Sequence, residues 1–350
     1  MQLPTQFDET KASSLADKIK KSQSILITSH YNPDGDAIGS CLALYHYLRA
    51  IGKKPKVLIP NVIPDFLLWL EDADKIVIYE DHPGKADKLI ESADLIFSVD
   101  YNDFKRTKLF EDQLHKSKAF KVLIDHHLNP SNSFDVIHSR IEVSSTAEMV
   151  YEMIVTLGNE DIINKSIAES LYVGIMTDTG SFSFSCNYSA TFSIVAGLIE
   201  KGINVEKIHQ LVYDTYSENR LRLLGFCLSE KLVVLKDFAT AYISLAKHEL
   251  DQFQFQPGDT EGIVNYALSI ENIVFAALFT EKEDIVRISF RSKGDFSVNA
   301  FARTHYNGGG HKNAAGADSE ISLDETITDF VDLLQDYKEE LQNLTIENKL

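Results

Sequence analysis

The chain has 350 residues, enough for two ordinary domains, because single hydrophobic cores stop growing near about 250–300 residues. With 44% apolar and 25% charged residues it has a globular composition; no apolar stretch approaches the ~18–20 residues of a membrane helix, and MQLPTQFDET has neither a basic start nor a following apolar run, so no membrane role and a cytoplasmic location are expected. A formal net charge of −18 excludes the broad basic footprint that long DNA or RNA requires, but not a small phosphorylated substrate held beside local cations.

The first part of the chain alternates short apolar runs with amphipathic helical patterns. SILITS (24–29) is a predicted strand, followed by the loop HYNPDGD and a helix through AIGSCLALYHYLRAIG that Gly52 ends. KVLIP (56–60), IVIY (76–79), DLIFSVD (94–100) and KVLID (121–125) are further strands, and their continuous apolar runs suit a parallel sheet covered on both faces. SSTAEMVYEMIVTLG opens with Ser145 and Glu148 at capping-box spacing and ends at Gly158; the next helix runs from Ile162 to Met176 into TDTGSFSF. After about Gly202 a charged helical connection, VEKIHQLVYDTYSENRLRLLGFCLSEKL, leads to two strands around a turn at Asp237 and a short helix in GIVNYALSI. A hairpin in IVFAALFTEKEDIVRISFRSKG, a helix near Val298–His305, a glycine run and a C-terminal helix from about Asp324 complete a second, mixed α/β domain, and the tail TIENKL is expected to be disordered. Cys41, Cys186 and Cys227 are isolated, so neither a disulfide frame nor a thiolate zinc site is expected.

In doubly wound sheets, sites form outside the carboxyl ends of the strands. Just past the predicted strands stand His30, Asp34 and Asp36; Asp100, with Asn102 and Asp103; and Asp125-His126-His127, while the helix ending at Met176 delivers Asp178. Taken singly, an Asp there is ordinarily a cap or turn residue, and a lone His is ordinarily structural. Four separate segments that deliver oxygen or imidazole ligands to one end of a sheet point instead to metal. Carboxylates and imidazoles without thiolates suit Mn2+, with Mg2+, Co2+ or Fe2+ as alternatives. Six candidate ligands, His30, Asp34, Asp36, Asp100, His126 and Asp178, exceed the needs of one ion that keeps a position open for water. Two ions roughly 3.5–4 Å apart are therefore expected, sharing a carboxylate and holding a bridging hydroxide for attack on a phosphate ester. Two divalent cations cancel four ionised Asp, so the substrate's charge needs further partners, expected from His127 and the second domain.

The set HYNPDGD, SVDYND, IDHH and TDTGSF, in this order, resembles motifs I to IV of the DHH phosphoesterases, and GGGHKNAAG resembles the signature of the DHHA1-type C-terminal domain. The resemblance spans nearly the whole chain, and the lack of sensory, membrane or OB-type appendages makes it similar to the stand-alone nanoRNase/pAp-phosphatase branch. It implies an α/β architecture: a parallel-sheet DHH domain (1–203), a helical linker (204–232) and a smaller mixed α/β DHHA1 domain (233–345), with the active site in the cleft between them. It further implies that His30, Asp34 and Asp100 hold one Mn2+ and that Asp36, Asp100, His126 and Asp178 hold the other, with Asp100 bridging. His127 would face the scissile phosphate as charge stabiliser or proton donor, and Asp125 would orient a histidine.

In the second domain the resemblance favours a terminal-phosphate clamp. Its members are Arg291 and Lys293, which alternation sends to one face, Ser292 between them, and Gly308-Gly309-Gly310-His311. Family members commonly have a fourth glycine where this chain has Asn307, a residue that tolerates left-handed backbone. Tyr306, Phe301 and His305 are as suited to core packing as to stacking on a base. The expected activity is two-metal hydrolysis of short single-stranded RNA to mononucleotides and of 3′-phosphoadenosine 5′-phosphate (pAp) to AMP. The alternatives are the same chemistry on pApA or cyclic di-AMP, hydrolysis of pyrophosphate or polyphosphate, and a nucleotide-binding regulator without catalysis; the oligomeric state is open, a homodimer included.

Overall fold

The computed structural model describes residues 7–256 and 258–347, in two compact units divided between Thr215 and Tyr216. In unit 1 the order is α1 (Glu9–Lys21), β1 (Ile25–Thr28), α2 (Gly35–Ala50), β2 (Lys56–Ile59), β3 (Val77–Ile78), α3 (Pro83–Ser92), β4 (Leu95–Val99), α4 (Glu111–Lys116), β5 (Phe120–Asp125) and β6 (Val136–Ser139). Four helices follow: α5 (Thr146–Thr156), α6 (Lys165–Asp178), α7 (Ser189–Glu200) and α8 (Val205–Tyr213). Every pairing in the sheet is parallel and its order is β3-β2-β1-β4-β5-β6, so the chain winds out to one edge, returns, and winds to the other. The change of direction falls between β1 and β4, the position at which sheets of this kind bind ligands outside the carboxyl ends of their strands.

The apolar runs are continuous because both faces are covered. Ile25, Ile27, Val57, Phe97 and Ile124 pack against α1, α2, α5 and α6. Their neighbours Leu26, Leu58, Ile96 and Leu123 pack on the other face against α3 and α4. β6 was not anticipated: it is a four-residue edge strand with alternating burial, and its sequence, VIHS, places a histidine among its apolar residues.

Helices α2 and α6 pass very close. A Cβ on Gly39 would stand 2.5 Å from the Ser170 carbonyl oxygen, and one on Gly174 would stand 2.5 Å from the Ala147 Cβ and 2.8 Å from Asp36 Oδ1. Bare backbone at both positions is what lets the two helices approach. The cap of α5 differs from the expected reciprocal box: Ser145 Oγ accepts from Glu148 N–H, but the Glu148 carboxylate turns one residue further back, to Ser144 N–H and Oγ.

Unit 2 contains α9 (Glu218–Phe226), continued by one π-helical turn (Cys227–Lys231), then β7 (Leu232–Leu235), β8 (Thr240–Leu245), α10 (Lys247–Gln252), α11 (Ile263–Leu268), β9 (Phe275–Glu281), β10 (Val286–Ser292), α12 (Val298–His305), β11 (Gly309–His311), β12 (Ala314–Ser319) and α13 (Leu323–Glu347). The sheet order is β11-β12-β10-β9-β8-β7, antiparallel except for β8 against β9. An aromatic core of Phe275, Phe290, Phe296, Phe301 and Phe330 lies beneath it. Phe301 is therefore core, as is half-buried Tyr306, while His305 Nε2 meets Tyr337 Oη at 2.7 Å. The charged helical connection consists of α8 and α9, with the non-helical residues 214–217 between them. The tail is helical as far as Glu347, and residues 348–350 lie outside the described ones. All three cysteines are free, and no helix among the described residues is long and apolar enough to cross a membrane.

Gly39→Ala should overpack the α2–α6 crossing and cost about 1–3 kcal/mol, read as a lowered urea midpoint at unchanged m-value. Gly84→Ala in α3, where an added Cβ meets nothing within 4 Å, should be neutral or slightly stabilising.

Candidate metal centre

Each candidate ligand is delivered by a local device. After β1, buried Ser29 donates from Oγ to the Val99 carbonyl at 2.9 Å, which ties the exit of β1 to that of β4. His30 comes next. Its Nδ1 lies 3.0 Å from the Tyr31 carbonyl, and its Nε2 lies 3.4 Å from Asp100 Oδ2 and 3.9 Å from Asp34 Oδ2. Asp34 is the N-cap of α2: Oδ1 accepts from Asp36 and Ala37 N–H, both at 3.0 Å. It is thus cap and candidate ligand at once, one oxygen for each task.

Asp36, in the first turn of α2, accepts from Thr146 N–H at 2.6 Å, Ala147 N–H at 2.9 Å and Ser40 Oγ at 3.2 Å. The first turn of α5 is thus aimed at a buried carboxylate, the arrangement in which a helix N-terminus favours negative charge. Asp100, just past β4, adopts the left-handed backbone (φ 64°) and donates its N–H to Ile124 O at 3.0 Å. Thr146 Oγ1 donates to Asp100 Oδ1 at 3.0 Å. Asp125 ends β5, fully buried, and its Oδ1 accepts from His127 Nδ1 at 2.7 Å. The His126 Nε2 lies 3.4 Å from Asp178 Oδ2, 3.7 Å from Asp100 Oδ1 and 3.9 Å from Asp36 Oδ2. Asp178 is the last residue of α6.

Two triads result. The ligand atoms of His30, Asp34 and Asp100 lie within 4.8 Å of one another, as do those of Asp36, His126 and Asp178. Asp100 stands between them, Oδ2 toward His30 and Oδ1 toward His126. All six residues singled out in the sequence converge, together with Asp125 and His127. Asn102 and Asp103 do not: the Asn102 amide donates to Leu128 O, and Asp103 caps the turn at Lys105. Sequence reading missed Thr146 and Ser40. SSTAE signals a helix start, but nothing local says that this start faces a carboxylate 110 residues away.

The electrostatics express the crowding. Burial pushes the Asp36 carboxyl well above the usual range, and Asp100, Asp178 and Asp34 push it further. Burial likewise lifts Asp178 to about 7. Burial works against ionised Asp100 too, yet the His30 hydrogen bond and the charges of His127, His30 and His126 hold its carboxyl well below the usual range. His30 and His126 are both raised, the carboxylates around them outweighing burial. Four carboxylates and two imidazoles without a thiolate form a donor set for hard or borderline divalent cations, and two such ions would offset the carboxylate charge.

In unit 2, Arg291 pairs with Ala314, which pairs with His311 on the next strand. Opposed residues share a face, so Arg291 and His311 stand in one row about 9.6 Å apart with only a methyl between them. Phe290 and Ser292 are buried on the other face, and Arg291 and Lys293 are half-buried; burial pulls the Lys293 ammonium down. The Ser292 hydroxyl donates to Phe296 O at 2.7 Å and accepts from the Asn313 amide at 2.9 Å. Asn307 adopts the expected left-handed backbone (φ 52°). Gly308 N–H donates to Ala302 O and Gly310 N–H to Asn299 Oδ1, and a Cβ on either glycine would strike β12. The close approach that these glycines permit is thus to a neighbouring strand.

Residues 24–175 match the DHH family, N-terminal domain, and residues 236–340 match the DHHA1 domain. The chain is 30% identical over 314 residues to the bifunctional oligoribonuclease and PAP phosphatase NrnA of Bacillus subtilis, spanning 88% of this chain and 93% of that protein. It is 29% identical over 300 residues to the protein of the same name from Thermus thermophilus, spanning 84% and 83%. The crystal structure of an exopolyphosphatase-related protein from Bacteroides fragilis matches at TM-score 0.94 and 40% identity, over 97% of this chain and 100% of that one.

Each Mn2+ bound at a hundred times its Kd should stabilise the protein by about 2.7 kcal/mol, seen as a raised Tm. Asp178→Asn removes a carboxylate that burial disfavours, so the metal-free variant should melt no lower than the parent while losing most of the Mn2+-dependent gain. Thr146→Val should weaken Mn2+ binding about tenfold by calorimetry, the loss of one charge-assisted hydrogen bond, and Thr146→Ser should restore it.

Proposed function

The chain belongs to the DHH family of phosphoesterase hydrolases and carries a DHHA1 domain, and from that premise we propose that it hydrolyses very short single-stranded oligoribonucleotides to mononucleotides and pAp to AMP. The observation that carries this reading is the pair of adjacent ligand triads, with Asp100 of the first reaching Oδ1 to within 3.7 Å of His126 Nε2 in the second. The name of the Bacillus subtilis relative joins the same two activities.

His30, Asp34 and Asp100 would hold one divalent cation and Asp36, Asp100, His126 and Asp178 a second, which we take to be Mn2+. Bound there, such ions supply Lewis acidity toward phosphoryl oxygens and lower the pKa of water. The protein's own groups do the rest. Thr146 and the first turn of α5 hold Asp100 and Asp36 in place. Asp125 accepts from His127 Nδ1, which fixes the orientation of the ring. His127 then stabilises charge on the phosphoryl group and protonates the leaving oxygen from Nε2. Arg291 and His311, with Lys293 beside them, bind a terminal phosphate, the forked guanidinium supplying paired donors. Ser292 and the Gly308-Gly309-Gly310 strand hold that row in register.

A turnover panel with Mn2+ tests this: pAp, 5′-phosphorylated RNA of two to about 24 nucleotides, pApA, cyclic di-AMP and polyphosphate. pAp and RNA of two to five nucleotides should be turned over and the 24-mer spared. His127→Ala should lower kcat on both substrates by about 10²–10⁴-fold. Turnover confined to pApA or cyclic di-AMP, or to polyphosphate, would replace the reading with the corresponding alternative.

A further inference from the structure

The segment after the Asp100 loop carries Lys105, Arg106 and Lys108 in a chain of formal charge −18. Several cations elsewhere pair with carboxylates: Arg49 and Lys75 with Asp72, Arg140 with Glu152, Lys231 with Glu249, Lys312 with Asp295. Among the described residues, none of the three cations after Asp100 forms an ion pair with a carboxylate.

Their placement is built. Tyr31 N–H donates to Arg106 O at 2.8 Å, so the segment is pinned to the residue next to the candidate ligand His30. Lys108 Nζ lies 4.7 Å from the centroid of the half-buried Tyr31 ring. Lys108 itself occupies a strained γ-turn (φ 54°, ψ −59°) closed by Leu109 N–H on Thr107 O at 2.6 Å. The base of the turn is rigid: Thr107 is buried with Oγ1 on Phe104 O at 2.7 Å, and Asp103 Oδ1 accepts from Lys105 N–H at 2.9 Å. On the other flank, Asn32 takes a left-handed backbone (φ 56°) and exchanges hydrogen bonds with Asn61, at 2.7 Å and 2.8 Å. Solubility alone does not require a lysine in a strained turn, held over an aromatic ring beside a cluster of carboxylates.

We propose that Tyr31, Arg106 and Lys108 form a second-nucleotide subsite on unit 1, which takes the phosphodiester and base that follow the scissile phosphate of a single-stranded oligonucleotide. The proposal rests on the phosphoesterase reading of the adjacent centre and names the substrate feature that centre reads. Arg106 and Lys108 neutralise the phosphodiester, and the Tyr31 ring offers a face to any base, so binding is tolerant of sequence. A substrate of one nucleotide, such as pAp, has nothing to place there.

Lys108→Gln and Arg106→Gln test it, with steady-state kinetics on pAp and on a pentanucleotide RNA at several salt concentrations. Each variant should raise KM for the pentanucleotide about tenfold with kcat within about a factor of two, shifting the pentanucleotide-to-pAp ratio of kcat/KM about tenfold. The slope of log KM against log salt should fall by about 0.7 per lost phosphate contact. Lys108→Arg should restore both. Equal losses on both substrates, or no change on either, overturn the subsite. Anisotropy with a fluorescein-labelled pentanucleotide in EDTA separates it from the catalytic reading. If the parent protein turns over neither substrate but binds the RNA, and Lys108→Gln weakens that binding about tenfold, the phosphoesterase reading fails and the subsite stands. If the parent fails to bind at low salt, the subsite fails.

Discussion

The Asp36 carboxylate is 2% exposed and sits in the first turn of a helix that is otherwise almost wholly core. A charge in that position survives only if donors surround it, and here they come from two N–H groups of α5 and one hydroxyl of α2 itself. The arrangement demands that α2, α5 and α6 meet at short range, and the glycines at 39 and 174 meet that demand. Because Asp178 rides on the last turn of α6, the helix spacing that protects one carboxylate also sets its distance from another. Packing and chemistry are one constraint.

The same centre is a concentration of unfavourable terms. Asp100 takes a left-handed backbone, Asp36 and Asp178 resist ionisation, and Asp125 keeps one carboxylate oxygen without a hydrogen-bond partner among the described residues. Sites of this kind persist when the surrounding structure over-determines them. Here a six-stranded parallel sheet with both faces buried does so. Divalent cations bound there would convert mutual repulsion into coordination and so couple ion binding to the stability of this region.

Unit 2 uses a different economy. Gly308 and Gly310 lie where a Cβ would strike β12, and the strand pairing there brings an arginine and a histidine into register across Ala314. Small residues there let neighbouring strands approach closely, and the sheet then sets the spacing of the two polar side chains.

The sequence by itself determined the parallel sheet and nearly every strand in it, because a strand buried on both faces must be apolar at consecutive positions. It also determined the identity of all six candidate ligands, since carboxylates and imidazoles just past such strands have few other reasons to recur. It did not reveal β6, too short and polar at the edge, nor β11 and β12, whose glycines and alanines carry no strand preference. Only tertiary structure decided how the ligands divide into two triads with Asp100 between them, and that Thr146 and the start of α5 support the carboxylates. Those facts depend on pairings across more than forty to a hundred residues, set by helix spacing and strand order, which no local pattern encodes.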